Sequence, residues 1–168
     1  MRALAWSMLA AVLLSGPVLA QDADCAAFKW PMNRELTAFH GEGLPAVANG
    51  GTLPGLDAAA TLVLMPQDQV HYPVPPSRTP KDTPAYGGTF TFPPIASADT
   101  YQVTISDEAW IEVVQNGKAV KQSGFSGSHS CKVVRKSVRF PLGTGPVTIE
   151  ISDAASETLK LEVLPKEQ

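Results

Sequence analysis

Three histidines, two cysteines and a short basic run are the side chains best placed to do chemistry in this 168-residue chain. His129 and Cys131 are near neighbours, and Lys132, Arg135, Lys136 and Arg139 follow closely. A nucleophilic Cys–His pair needs a thiolate, so its reactivity depends on a free sulfur with a lowered pKa. Cys131 is expected instead to bridge to Cys25, which removes that sulfur and leaves His129 as a loop residue beside a structural cystine. The competing reading, a free thiol or a metal ligand, is disfavoured because no second cysteine lies at short spacing. Arg135 and Arg139 fall on one strand face with Ser137 between them, and Lys136 falls on the other. Such a face could grip an anion, but it is also how a water-facing strand with charged gatekeepers is written, and that plainer reading is the expected one.

Other candidate constellations are weaker. Trp110, with Tyr72, Tyr86 and Tyr101, could offer an aromatic platform for stacking sugars, yet the period of its segment turns Tyr101 inward and Trp110 is expected to follow. Gly124-Phe125-Ser126-Gly127-Ser128 lacks the strand-turn-helix context of a nucleophile elbow. Asp57, Asp68, Asp99, Asp107 and Asp153 stand singly at turns, so no catalytic carboxylate pair is visible. The ligand-binding candidates are therefore Trp110, His129, Arg135 and Arg139. No catalytic residue, metal site or cofactor is expected.

These side chains must be held by strands. Tyr101-Gln102-Val103-Thr104-Ile105, Trp110-Ile111-Glu112-Val113-Val114, Val147-Thr148-Ile149-Glu150-Ile151 and Leu159-Lys160-Leu161-Glu162-Val163 alternate apolar with polar residues. A period of two puts one face of each strand on a core and the other in water. Turn signals at Asn116-Gly117 and Gly143-Thr144-Gly145 separate short strands, which predicts a mainly β, antiparallel, jelly-roll-like β-sandwich of about eight or nine strands. Further strands are expected over residues 61–65, 70–72, 89–92, where Pro93-Pro94 ends the run, and 132–140, with Val134, Val138 and Phe140 inward. Residues 42–60, the proline-rich stretch 73–84 and the small-residue stretch 123–130 read as loops. One short helix is predicted over about 31–40, with Pro31 in its first turn, Met32, Leu36 and Phe39 on one face, and Gly41 as its stop.

Residues 1–20 read as an export signal: Arg2, an apolar run, Gly16-Pro17, then Val18-Leu19-Ala20 before a cut ahead of Gln21. The apolar run is shorter than the roughly 20 residues a spanning helix needs, so no membrane insertion is expected once the signal is removed. Removal leaves about 150 residues, enough for a single sandwich domain over 21–168. It also makes the chain one unit more acidic than its formal net charge of −3. A mildly acidic chain has no field to hold nucleic acid, and the expected location is periplasmic or secreted.

The succession Tyr101-x-Val103-x-Ile105, Trp110-Ile111-Glu112-Val113-Val114, Phe140-Pro141-Leu142-Gly143-x-Gly145-Pro146-Val147-x-Ile149-x-Ile151 and Leu159-x-Leu161-x-Val163 resembles the bacterial pre-peptidase C-terminal domain family. Those modules are small β-sandwiches of secreted proteins, and the resemblance implies that architecture here and, beyond it, a binding or targeting role. The whole chain, with its signal and its Cys25-x-x-Phe28-x-Trp30 start, is also similar to small exported proteobacterial proteins that carry a homogentisate dioxygenase label. Ring-cleaving enzymes of that kind hold a non-haem iron on two histidines and a carboxylate in a much longer cupin chain. Here His40, His71 and His129 form no His-x-His or His-x-x-x-His arrangement, so that label lacks its chemistry. The expected role is an exported, non-catalytic module that recognises an envelope protein or a glycan through loops 73–84 and 123–130. The alternative is a small metal-dependent, dioxygenase-type enzyme using His40, His71 or His129.

Overall fold

The computed structural model describes residues 25–81 and 83–167, so the export signal and its cut lie outside the described residues. Among the described residues there are eleven strands: β1 (Ala46–Ala48), β2 (Ala60–Val63), β3 (Met65–Pro66), β4 (Tyr86–Ile95), β5 (Asp99–Ile105), β6 (Trp110–Gln115), β7 (Lys118–Ala119), β8 (Gly124–Gly127), β9 (Lys136–Leu142), β10 (Gly145–Ala154) and β11 (Thr158–Pro165). They form two sheets, one in the order β1-β2-β11-β5-β9-β8 and the other in the order β3-β4-β10-β6-β7. All neighbours are antiparallel except β1 and β2. The alternating residues do what their period predicts: Val103 and Ile105, Ile111 and Val113, Ile149 and Ile151, and Leu161 and Val163 meet in one core between the sheets. The chain is a β-sandwich.

Several elements differ from expectation, each for a local reason. The run over 61–65 divides at Leu64, because β2 ends in one sheet and Met65 opens β3 in the other. Pro93-Pro94 does not end its strand. The pairing with β10 slips there, from Phe92↔Val147 to Ile95↔Gly145, and an irregular register tolerates residues that have no N–H to donate. Residues 70–72 follow a single 3-10 turn over Gln67–Gln69 and form no strand. The presumed connection 42–60 contains β1, and the presumed loop 123–130 contains β8.

The helix, α1 (Asn33–His40), starts after Pro31, with Met32 at its cap, and buries Glu35, Leu36 and Phe39. Gly41 follows it with φ −59°, so no left-handed conformation demands glycine there. Space does: a Cβ would sit 2.9 Å from the Ala38 carbonyl oxygen, which the Gly41 N–H already approaches at 3.0 Å. By contrast, the Asn116-Gly117 hairpin uses positive φ at both positions, 55° and 71°, as a two-residue primed turn requires. Gly117→Ala should therefore lower the unfolding free energy by about 1 kcal/mol, read as a shift in the urea midpoint at unchanged slope.

Candidate functional site

The sandwich is uneven at one side. One sheet finishes in the two-residue β7, whereas β8 and β9 continue beneath it, so part of their inward surface has no strand above. A cavity of about 550 Å³ opens there. Val138 and Phe140 of β9 and Phe125 of β8 line one wall, and Trp110, Ile111 and Val120 line the other. Phe125 remains 44% exposed, although large apolar side chains elsewhere on these strands are buried. Both stretches expected to carry recognition converge on this cleft, since Ser77 comes from the proline-rich loop and Phe125 from the small-residue stretch.

Carboxylates on the outer face of the second sheet hold the proline-rich loop in place. The backbone N–H of Val74 donates to Glu150 at 3.2 Å, that of Ser77 to Glu112 at 3.2 Å, and that of Lys81 to Asp153 at 2.9 Å. Arg78 pairs with Asp153 at 3.1 Å. Tyr72 adds a hydroxyl that donates to the Ile151 carbonyl at 2.9 Å, and burial raises its pKa. Burial likewise raises the Glu150 carboxyl above its ordinary range. A loop without secondary structure is thus fixed by charge-assisted hydrogen bonds, the stronger kind.

Trp110 is half-buried at the mouth of the cleft. Its Nε1–H donates to the Ser77 hydroxyl at 3.3 Å, and the Arg78 guanidinium and Lys136 ammonium lie 5.1 and 5.5 Å from its ring centroid. Both distances are within cation–π range, so the ring is already engaged and does not present the open platform a stacked sugar needs. Lys136 points inward, donates to the Ala109 carbonyl and lies 3.9 Å from Glu108; burial lowers its pKa.

The other sequence candidates do not gather here. Arg135 lies ahead of β9, where its guanidinium pairs with Glu108, donates to His129 Nε2 at 2.9 Å and reaches the Ser128 carbonyl at 3.3 Å. Arg139 faces the opposite way and stacks 4.0 Å from the Trp30 ring centroid. The two arginines therefore grip no common anion. Cys25 and Cys131 form the disulfide, with Cα atoms 4.6 Å apart, and neither has a free thiol. His40 ends α1, His71 lies in the loop over the second sheet, and His129 precedes β9. No group of three or more His, Cys, Asp or Glu side chains among the described residues is placed to hold a metal ion. No described helix is long and apolar enough to cross a membrane.

The gatekeeper reading of the basic strand is corrected. The outer face of β9, β5 and β11 is polar but not wet: Ser137, Thr104, Gln102 and Glu162 are all at most 3% exposed. Residues 25–40 lie across it, with Trp30 Nε1–H donating to Ser137 Oγ at 3.3 Å and the Lys29 N–H to Ser126 Oγ at 2.8 Å. Sequence reasoning missed Glu35, which α1 buries, although a signal was present: Glu35 sits three residues after Met32 and four before Phe39, on the apolar face. It also passed over Phe125, whose only mark was to be the one aromatic in a run of small residues.

The fold and site define a disulfide-tethered β-sandwich with an apolar cleft between two edge strands. Comparison with protein-family models, with curated proteins and with solved structures yields no match.

Proposed function

We propose that this chain is an exported, non-catalytic module that recognises a protein partner through the cleft between β7 and β8. The observation that carries the reading is Phe125, held 44% exposed on an apolar cleft at the point where the two recognition stretches meet. A wall of this kind suits the apolar side chains of an extended segment. Because β7 and β8 are each paired on one side only, such a segment can also add its backbone to a sheet edge. The exposed Lys121 lines the rim and Lys118 lies beside it in β7, so the favoured partner carries acidic residues next to its apolar ones. A protein is favoured over a glycan because cations occupy the Trp110 ring. Export accords with the disulfide and with the apolar leader.

A photoreactive amino acid at position 125, with one at exposed Leu56 as control, tests this in the native envelope. The expected result is one discrete protein adduct from position 125, lost when Lys121→Glu reverses the rim charge. With that partner purified, Phe125→Ala should weaken binding at least about tenfold while leaving the unfolding free energy within about 0.5 kcal/mol. Identical adducts from both positions, or full affinity in Phe125→Ala, would overturn the proposal.

A further inference from the structure

The strongest unexplained feature lies on the opposite side of the molecule, under the N-terminal segment. Strand register sets Glu162, Thr104, Ser137 and Ser126 in one row across β11, β5, β9 and β8, with Gln102 and Arg139 in the next. Glu35 of α1 comes down on this surface. One of its oxygens accepts a hydrogen bond from the Gln102 amide, whose own oxygen accepts from Arg139 at 3.3 Å. The second oxygen of Glu35 and one oxygen of Glu162 have no hydrogen-bond partner, although the two residues are 1% and 3% exposed.

The cations around the two carboxyls have other partners, although the Arg34 charge still favours ionisation of both. Arg34 pairs with Glu167 at 2.8 Å and donates to the Pro165 carbonyl at 2.8 Å. Lys160 donates to the Phe39 carbonyl, and Arg139 stacks on Trp30. From the remaining side, the loop that carries Asp57 runs against β11, its N–H donating to the Val163 carbonyl at 3.3 Å and adding a further negative charge. Two carboxylates here would each be desolvated and would repel one another.

We infer that Glu35 and Glu162 are a proton-binding pair that locks residues 25–40 onto the sheet, and that loss of the proton loosens this strap. The electrostatics run the same way. Burial, then Glu35 and Asp57, push the Glu162 carboxyl up from 4.5 to about 7 against the opposing charge of Arg34, and burial raises Glu35 against its hydrogen bonds and Arg34. The disulfide keeps the first residue of the strap attached when the rest lifts, so release is local and reversible. What lifting uncovers is a hydrogen-bonding surface of Gln102, Thr104, Ser137 and Arg139.

Amide hydrogen exchange on the oxidised full chain tests the inference. Protection factors, which remove the intrinsic pH dependence of exchange, are compared at pH 5 and pH 8 for residues 33–40, with β10 as reference. Protection in the helix is expected to fall at least about tenfold at pH 8 and to lie well below that of β10 at both pH values, because the strap opens without the sheets; between these pH values the displacement of Glu162 alone sets a ceiling of about seventyfold. Glu162→Gln should keep its pH 5 protection at pH 8. Unchanged protection in the wild type, helix protection equal to that of β10, or an equal fall in Glu162→Gln would overturn it. Should Glu162→Gln fail to fold, side-chain carboxyl NMR titration of the wild type decides: elevated, mutually dependent titrations of Glu35 and Glu162 support the pair, and two ordinary carboxyl titrations overturn it.

Discussion

Breaking the Cys25–Cys131 bridge is expected to lower the stability of the chain by about 4–5 kcal/mol, the figure the chain-entropy model gives for a closed loop of roughly a hundred residues. The separation of 106 residues makes this one of the longer loops a single domain can close, and loop entropy grows with length. The loss should be unevenly distributed. Cys25 and Cys131 belong to a small apolar cluster with Met32, Leu36, Phe39 and Val134, separate from the main core between the sheets. The strap is attached to the sandwich mostly through that cluster and through polar contacts to Ser126, Ser137 and Gln102. Reduction should therefore free the strap before the sheets unfold. Guanidinium unfolding of the oxidised chain and of a Cys25→Ala/Cys131→Ala double variant measures the total, and far-ultraviolet spectra of the native-buffer variant should keep the β signal. A loss below about 1 kcal/mol would mean that the strap's other contacts hold it unaided.

Strand periodicity carried the inner half of the fold into view and left the outer half hidden, for a physical reason. Ile149 and Leu161 announce themselves because an apolar residue at every second position has one stable destination, the space between the sheets. Thr104, Ser137 and Glu162 carry no such mark: a polar residue on a strand reads the same whether water or another segment covers it. Only Glu35, an acid on the apolar face of a helix, hinted that the covering surface was itself polar. The cleft was legible in part. Stretches 73–84 and 123–130 stood out by their composition, but that they meet at one edge follows from the brevity of β7, and no pattern of residues specifies where a sheet stops short. Long-range pairings were likewise out of reach. The dispersal of Arg135, Lys136 and Arg139 to three environments depends on β9 lying between β5 and β8 with the strap above it. The cystine was the one distant contact that composition could supply, because a chain with two cysteines has a single intramolecular pairing to make.

The stability of the wild-type chain should decline as pH rises from about 4.5 to about 7, and Glu162→Gln should remove much of that decline. A carboxyl whose folded pKa is raised binds more protons in the native state than in the unfolded state between the two values, so stability falls with rising pH across that window. Below 4.5 the group is protonated in both states and contributes nothing; above 7 it is ionised in both, and the native state carries the full desolvation cost. For Glu162 the displacement from 4.5 to about 7 corresponds to about 3 kcal/mol at pH 8. Glu35 and Glu150, both raised chiefly by burial, act in the same direction. Glu162→Gln keeps the shape and removes the ionisation, so it should match or slightly trail the wild type at pH 4 and exceed it by up to about 3 kcal/mol at pH 8. Urea midpoints at the two pH values measure this. A variant less stable than wild type at both would mean that the carboxylate is solvated in the native state and that water reaches beneath the strap. A gain at pH 8 alone would identify a buried charge that weakens the fold at neutral pH, the expected trade where a segment must be able to come away from the surface it covers.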